Sequence, residues 1–122
     1  MSGGQIALPW PPRELHPNAR PHFQQRARAA KAYRTVAFWA AEMSGLRAPE
    51  DGEVMLDVTF NPPDNRKRDL DGMFSASKAG FDGIADALAV NDYRFAFTIR
   101  RAEPIKGGKV VVQLSRSMDW AA

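Results

Sequence analysis

The residues most able to do chemistry lie between Arg66 and Asp92. Asp69 and Asp71 are two apart, so in extended backbone their carboxylates project to the same side. Asp71 also opens an expected helix on which Asp71, Ser75, Lys78 and Asp82 fall within roughly 60° of one another. Asp92 follows that helix and precedes a strand. If this strand lies beside the one ending at Phe60, Asp92 returns to the neighbourhood of Asp69 and Asp71. Three carboxylates without His or Cys make an oxygen-only site, which suits Mg²⁺, or Mn²⁺ as its substitute, rather than Zn²⁺. Such an ion activates water and stabilises charge developing on a phosphodiester, and Lys78 can offer an ammonium to the scissile phosphate. The same residues have a plainer reading. An aspartate at a helix start is a cap that complements the dipole, and Arg68 beside Asp69 makes a surface ion pair.

Charge supports a polyanionic ligand. Lys plus Arg number 17 against 14 Asp plus Glu. Arg20, Arg26, Arg28, Lys31 and Arg34 form an acid-free stretch, and Arg66, Lys67 and Arg68 form a second basic run. Phosphate contacts from such residues would give affinity that falls with salt and carries little sequence information. Arg66 to Arg68 adjoin the candidate carboxylates and rank first. Solvated surface is the alternative.

The elements that must position these groups follow from periodicity. With 122 residues and no cysteine, the chain is expected to be a single domain, residues 1–122 with a core of about 5–116, and to have no disulfide framework. No apolar run is long enough to cross a bilayer and no signal peptide is visible, so a cytoplasmic protein with no membrane partner is expected. Ile6 to Leu8 read as a strand stopped by Pro9-Trp10-Pro11-Pro12. Phe23 to about Ser44 read as a helix ended by Gly45, with Ala29, Ala32, Val36, Ala40 and Met43 as its buried stripe. Val54 to Phe60 alternate as a strand. Leu70 to Ala89 read as one helix with Phe74, Phe81, Ile84 and Leu88 toward the core. Gly72, Ala76, Ala79, Gly80, Gly83 and Ala87 form a small-residue face on which another backbone can approach. Phe95 to Arg100 and Val110 to Leu114 read as strands joined by a hairpin turn at Lys106-Gly-Gly-Lys109. The order predicts an α/β (α+β) domain with a mixed sheet of about four strands and two main helices. Trp10 is read as pinning the proline loop to the core. His16 and His22 lack metal-ligand spacing, and Trp39 and Trp120 receive no functional role.

The segment Arg68-Asp-Leu-Asp71, followed by Lys78-Ala-Gly-Phe-Asp82 and Asn91-Asp92, resembles the active-site region of RusA-type Holliday-junction resolvases. Leu8-Pro-Trp-Pro-Pro12 is similar to that family's N-terminal signature. Glu14-Leu-His-Pro-Asn-Ala-Arg20 with His22 resembles the form seen in phage and prophage members, and Pro104-Ile-Lys-Gly-Gly-Lys109 resembles its late hairpin. The matches run in order from about Leu8 to Leu114. The resemblance implies a homodimeric, Mg²⁺-dependent endonuclease without an organic cofactor, which resolves four-way DNA junctions in recombination and repair. Its essential aspartates would be Asp69, Asp71 and Asp92, and its functional lysine Lys78. Two positions depart from the pattern: Asn91 stands where the family often has an acid, and Gly72 where it commonly has Asn. The spacing to Lys78 is also longer than in some members. A non-catalytic, structure-selective DNA-binding protein with a weakened metal site is the second reading. A small-molecule phosphohydrolase is a third, but it leaves the basic surface unexplained.

Overall fold

The computed structural model describes residues 4–114. Trp120 and the last two residues of the expected core lie outside them. The chain forms β1 (Gln5–Pro9), α1 (Phe23–Ser44), β2 (Val54–Asn61), α2 (Leu70–Ala76), α3 (Lys78–Leu88), β3 (Phe95–Arg101) and β4 (Lys109–Leu114), with 3-10 turns at Arg13–Leu15 and Asp92–Arg94. The four strands make one mixed sheet in the order β1-β4-β2-β3. β4 runs antiparallel to both β1 and β2, so the expected hairpin of β3 with β4 does not form: the chain turns at Lys106-Gly-Gly but crosses to the far side of β2, which lies between the two strands. β2 and β3 are parallel, from Val54↔Phe95 to Phe60↔Arg101, because α2 and α3 carry the chain back between them. This is the α+β fold that the alternation predicted, with three helices rather than two. Among the described residues no helix is long and apolar enough to cross a membrane.

The alternating residues of β2 account for the core. Val54, Leu56, Val58 and Phe60 are almost fully buried, together with Ile6 and Leu8 of β1 and Val110 and Val112 of β4. Their neighbours on the opposite face stay partly or fully exposed. The helices therefore cover one face of the sheet, and the other meets solvent. Trp10 does hold the proline loop to this core: its ring meets Phe60 edge-on at 6.4 Å.

Two expectations about the helices need correction. The buried stripe of α1 is Tyr33, Ala37 and Ala41, with Ala29 and Ala40 of the expected stripe packed partly buried against the core, whereas Ala32, Val36 and Met43 are exposed, Met43 with 84% of its surface. Alanine occurs on every face of this helix, so hydrophobicity alone does not orient it. Tyr33 decides the matter, because its ring is buried and its hydroxyl donates to the Pro9 carbonyl at 2.6 Å. Burial pushes the Tyr33 phenol well above its usual range, with the nearby Ser77 hydroxyl opposing the shift.

The second helix is also not continuous. It breaks at Ser77, which is fully buried and whose Oγ donates back to the Met73 carbonyl at 3.0 Å. A serine that bonds to the preceding turn is a known source of helix bending. Finally, the small-residue face beyond the break is already occupied within the chain. A Cβ on Gly83 would lie 2.2 Å from the Arg34 carbonyl oxygen and 3.0 Å from Ala37 Cβ, so glycine lets α3 lie directly on α1. Gly80 makes the same allowance for the Tyr33 ring. The backbone that approaches this face is that of α1 in the same chain.

Candidate active site

The chain leaves β2 through Pro62, Pro63 and a loop organised by Asp64. The Asp64 carboxylate accepts from the backbone N–H of Arg66 at 3.0 Å and from its guanidinium at 3.2 Å. It accepts from Arg68 Nη1 at 2.8 Å. Arg68 and Arg66 together hold the Asp64 carboxyl far below the usual carboxylate range. Arg68 also donates to the carbonyls of Asp64 and Arg66 and sits 5.8 Å over the Trp10 ring, leaving only 17% of its side chain exposed. The expected partner for Arg68 was Asp69. The structure diverts it to Asp64, so Arg68 shapes the loop and Asp69 makes no ion pair among the described residues.

Asp69 occupies the N-cap position of α2 in extended backbone, φ −77° and ψ 143°, yet its side chain makes no capping bond. Its carbonyl accepts from Met73 N–H at 3.1 Å, starting the helix through the backbone alone. Asp71 follows in the first turn. Both residues are exposed and line one open cleft of about 460 Å³ with His16, Asn18, Lys67 and Ser75. The capping reading is thus not what the Asp69 side chain does.

The far wall of this cleft comes from the N-terminal loop. Trp10 stacks on His16 with centroids 6.3 Å apart, and His16 Nε2 lies 3.2 Å from the Pro11 carbonyl. A carbonyl only accepts, so Nε2 carries a proton, and a neutral ring leaves Nδ1 as the unprotonated nitrogen. Sequence reasoning gave His16 and Asn18 no site role. Their only signal was their place in the Glu14–Arg20 segment, since nothing local predicts that Trp10 folds this loop onto the loop after β2.

Lys78 and Asp92 are not in the cleft. Lys78 is the exposed first residue of α3, beyond the break at Ser77, and is not among the residues lining this cleft. Asp92 lies in the 3-10 turn before β3. There Asn91 Oδ1 accepts from Tyr93 N–H at 3.1 Å, so its amide caps the turn. Arg94 ties the same turn to the carbonyls of Gly52 (2.8 Å) and Pro49 (2.7 Å), just before β2 begins. β3 does pair beside β2, as the convergence of the three aspartates required. Because the pairing is parallel, Asp92 stands where both strands start, whereas Asp69 follows the end where they finish. Arg101, the last residue of β3, donates to the Arg68 carbonyl at that far end. From Phe95 to Arg101 the strand spans about 20 Å, so the carboxylates do not meet within one chain. Among the described residues no three His, Asp or Glu side chains are grouped to hold a metal ion.

The remaining basic residues divide by partner. Arg20 lines an adjoining cleft that shares His16 and Asn18 with the first. Arg26 donates to the Ala19 carbonyl at 3.2 Å. Arg28, Lys31 and Lys67 are exposed and make no ion pair among the described residues. Arg34 forms a two-pronged pair with Asp86 at 2.7 and 2.9 Å, which lowers the Asp86 carboxyl from its ordinary range. Arg66 is spent partly on Asp64.

No family model matches the chain. It is 38% identical over 114 residues to an uncharacterized protein of Xylella fastidiosa, an alignment covering 90% of this chain and 74% of that protein. Identity at this level over this share of both chains identifies common descent, and the chain belongs to the same family as the Xylella fastidiosa protein.

Proposed function

We propose that the chain is a RusA-type, Mg²⁺-dependent endonuclease that resolves four-way DNA junctions. The observation that carries this reading is the pair Asp69 and Asp71, which open on one cleft and have no capping or ion-pair partner among the described residues, while the adjacent Arg68 is diverted to Asp64. A helix cap or a surface ion pair would have engaged Asp69. Oxygen donors two residues apart with open space beside them fit a hard cation that takes one or two carboxylates and completes its shell with water and phosphate.

The position of Asp92 bears on the assembly. One protomer supplies two carboxylates at one end of β3 and the third at the other, so a three-carboxylate site requires a second copy. A two-fold dimer would then make two equivalent sites, matching the symmetry of a four-way junction and the paired nicks that resolution needs. Bound there, Mg²⁺ would activate water and neutralise charge on the phosphate. Asp69 and Asp71 would hold it, His16 and Asn18 would border the scissile strand, and Lys67, Arg20, Arg28 and Lys31 would bind phosphates along the arms. Lys78, exposed at the start of α3, would meet DNA from outside the cleft.

One observation favours a non-catalytic junction-binding protein instead: the Asn91 carbonyl oxygen, where an acid is often found, is committed to capping its own turn. Cleavage separates the two readings. A labelled four-way junction and a linear duplex with the same arms would be incubated with Mg²⁺, Mn²⁺ or EDTA, alongside Asp71→Asn. The resolvase reading expects paired symmetric nicks in the junction that need metal and vanish in the variant. Tight junction binding without cleavage supports the second reading, and indifference to the junction overturns both.

A further inference from the structure

We propose that Asp64 is a positioning residue for the carboxylate pair: it holds the Arg68 guanidinium off Asp69 and Asp71, and so sets how tightly that pair takes a divalent cation. The inference rests on the metal-nuclease reading above and adds to it a residue outside the cleft. Arg68 borders the cleft immediately before Asp69, whereas Asp64 does not line it. A guanidinium in that place is a rival of any metal ion, because its planar fork matches the same carboxylate oxygens. Among the described residues the only carboxylate that pairs with Arg68 is Asp64, at 2.8 Å.

The other contacts of Arg68 fix its direction without cancelling its charge. Nη1 also donates to the carbonyls of Asp64 and Arg66 at 3.3 Å each, and the guanidinium lies 5.8 Å over the Trp10 ring. The Arg68 carbonyl accepts from Arg101 at the end of β3, so the backbone is pinned on one side while the side chain is drawn to the other. Asp64 is committed to this work. One of its oxygens takes both Arg68 Nη1 and the Arg66 N–H, and the second takes the Arg66 guanidinium at 3.2 Å. Both arginines hold its carboxyl far below the usual range, so it is charged at any pH where Asp69 and Asp71 bind a cation. A plainer role is that Asp64 and Arg68 only shape the loop. The two roles differ in sign: shaping predicts that losing either partner weakens metal binding, whereas holding a rival cation away predicts opposite effects.

Mn²⁺ binding to the full-length protein, followed by calorimetry beside a thermal melt of each variant, tests this. Asp64→Asn is expected to bind Mn²⁺ about fivefold more weakly, the upper strength of one exposed ion pair. Arg68→Gln should bind as tightly as wild type or more so, since glutamine still donates to the loop carbonyls. Asp64→Asn/Arg68→Gln should recover the wild-type affinity although it lacks the same ion pair. Weaker binding in Arg68→Gln overturns the proposal, even if Asp64→Asn does not fold. So does a double variant no better than Asp64→Asn, or an Asp64→Asn protein that binds like wild type. In junction cleavage, Asp64→Asn should raise the Mg²⁺ concentration for half-maximal rate by the same factor, and excess Mg²⁺ should overcome the loss. Wild-type protein that neither binds Mn²⁺ nor cuts the junction refutes the nuclease reading and this inference with it. The expected pattern of Mn²⁺ affinities without cleavage refutes the nuclease alone and leaves the role of Asp64 standing.

Discussion

Replacing Gly83 with alanine tests the closest packing in the molecule. The added Cβ would lie 2.2 Å from the Arg34 carbonyl oxygen and 3.0 Å from both Ala37 Cβ and Phe38 N, so the obstruction is backbone and cannot rotate away. Restoring an ordinary contact would move α1 from α3 by about 1 Å, and overpacking of this kind costs about 3–4 kcal/mol at its upper end. Alanine's better helix propensity returns about 1 kcal/mol, for a net loss of about 2–3 kcal/mol. With an unfolding entropy of roughly 0.25 kcal/mol/K for a chain of this length, that lowers Tm by about 8–12 °C. Gly72→Ala is the control, since nothing lies within 4 Å of its Cβ and its φ is not in the left-handed region. It should raise stability by about 0.5–1 kcal/mol. Calorimetry or urea unfolding of both variants decides the matter. If Gly83→Ala melts with the wild type or above it, the close contact between α1 and α3 is wrong.

The Tyr33 hydroxyl supplies a second test. Its phenol is raised by burial, so its stabilising effect is full below the ordinary tyrosine value of about 10 and is lost as pH rises through the folded value. Tyr33→Phe should cost about 1–2 kcal/mol at neutral pH by orphaning the Pro9 carbonyl. It should also flatten the fall of the urea midpoint above pH about 10; an unchanged slope would show that the phenol is not buried. The Asp64 carboxyl is shifted the other way, so its contribution is present above the ordinary carboxylate value and fades as pH falls below it. Asp64→Asn should therefore weaken the fold at neutral pH and converge with wild type in acid, read by thermal melts across that window. If the gap between them stays constant with pH, the Arg68 pairing is not what holds the loop. On the resolvase reading, Lys67→Ala should weaken junction binding uniformly across sequences and reduce the salt slope by about 1, measured by fluorescence anisotropy at several salt concentrations. An unchanged slope would remove Lys67 from the interface.

What was legible in the sequence was what rests on local periodicity. The strict alternation of Val54 to Phe60 gives β2 and the element order gives the fold class, whereas the two glycines before Lys109 mark a turn without showing that it leads β4 past β3 to the other side of β2. The orientation of α1 was not legible, because alanine on every side makes Val36 and Met43 look like core while Tyr33 takes that place through a bond to a distant carbonyl. The break at Ser77 was hidden by flanking residues with good helical patterning. The Asp69 and Asp71 pair was legible from spacing alone. Three tertiary facts about the site were not. Arg68 turns to Asp64, a choice set by the path of the loop. His16 reaches the cleft only because Trp10 and Phe60 hold the N-terminal segment there. Asp92 lies at the far end because β2 and β3 are parallel; a neighbouring strand was foreseen, but its direction determines which end Asp92 occupies.

That direction leads to the measurement that bears most directly on a shared site. Asp71→Asn and Asp92→Asn proteins, each expected to be inactive, would be refolded together in equal amounts and assayed on a four-way junction with Mg²⁺. If each site takes Asp69 and Asp71 from one chain and Asp92 from the other, a mixed dimer holds one wholly defective site and one intact site. Random pairing makes about half the dimers mixed, so nicking should return at about a quarter of the wild-type site count, as single rather than paired nicks. A mixture that stays as inactive as its components would contradict the shared site.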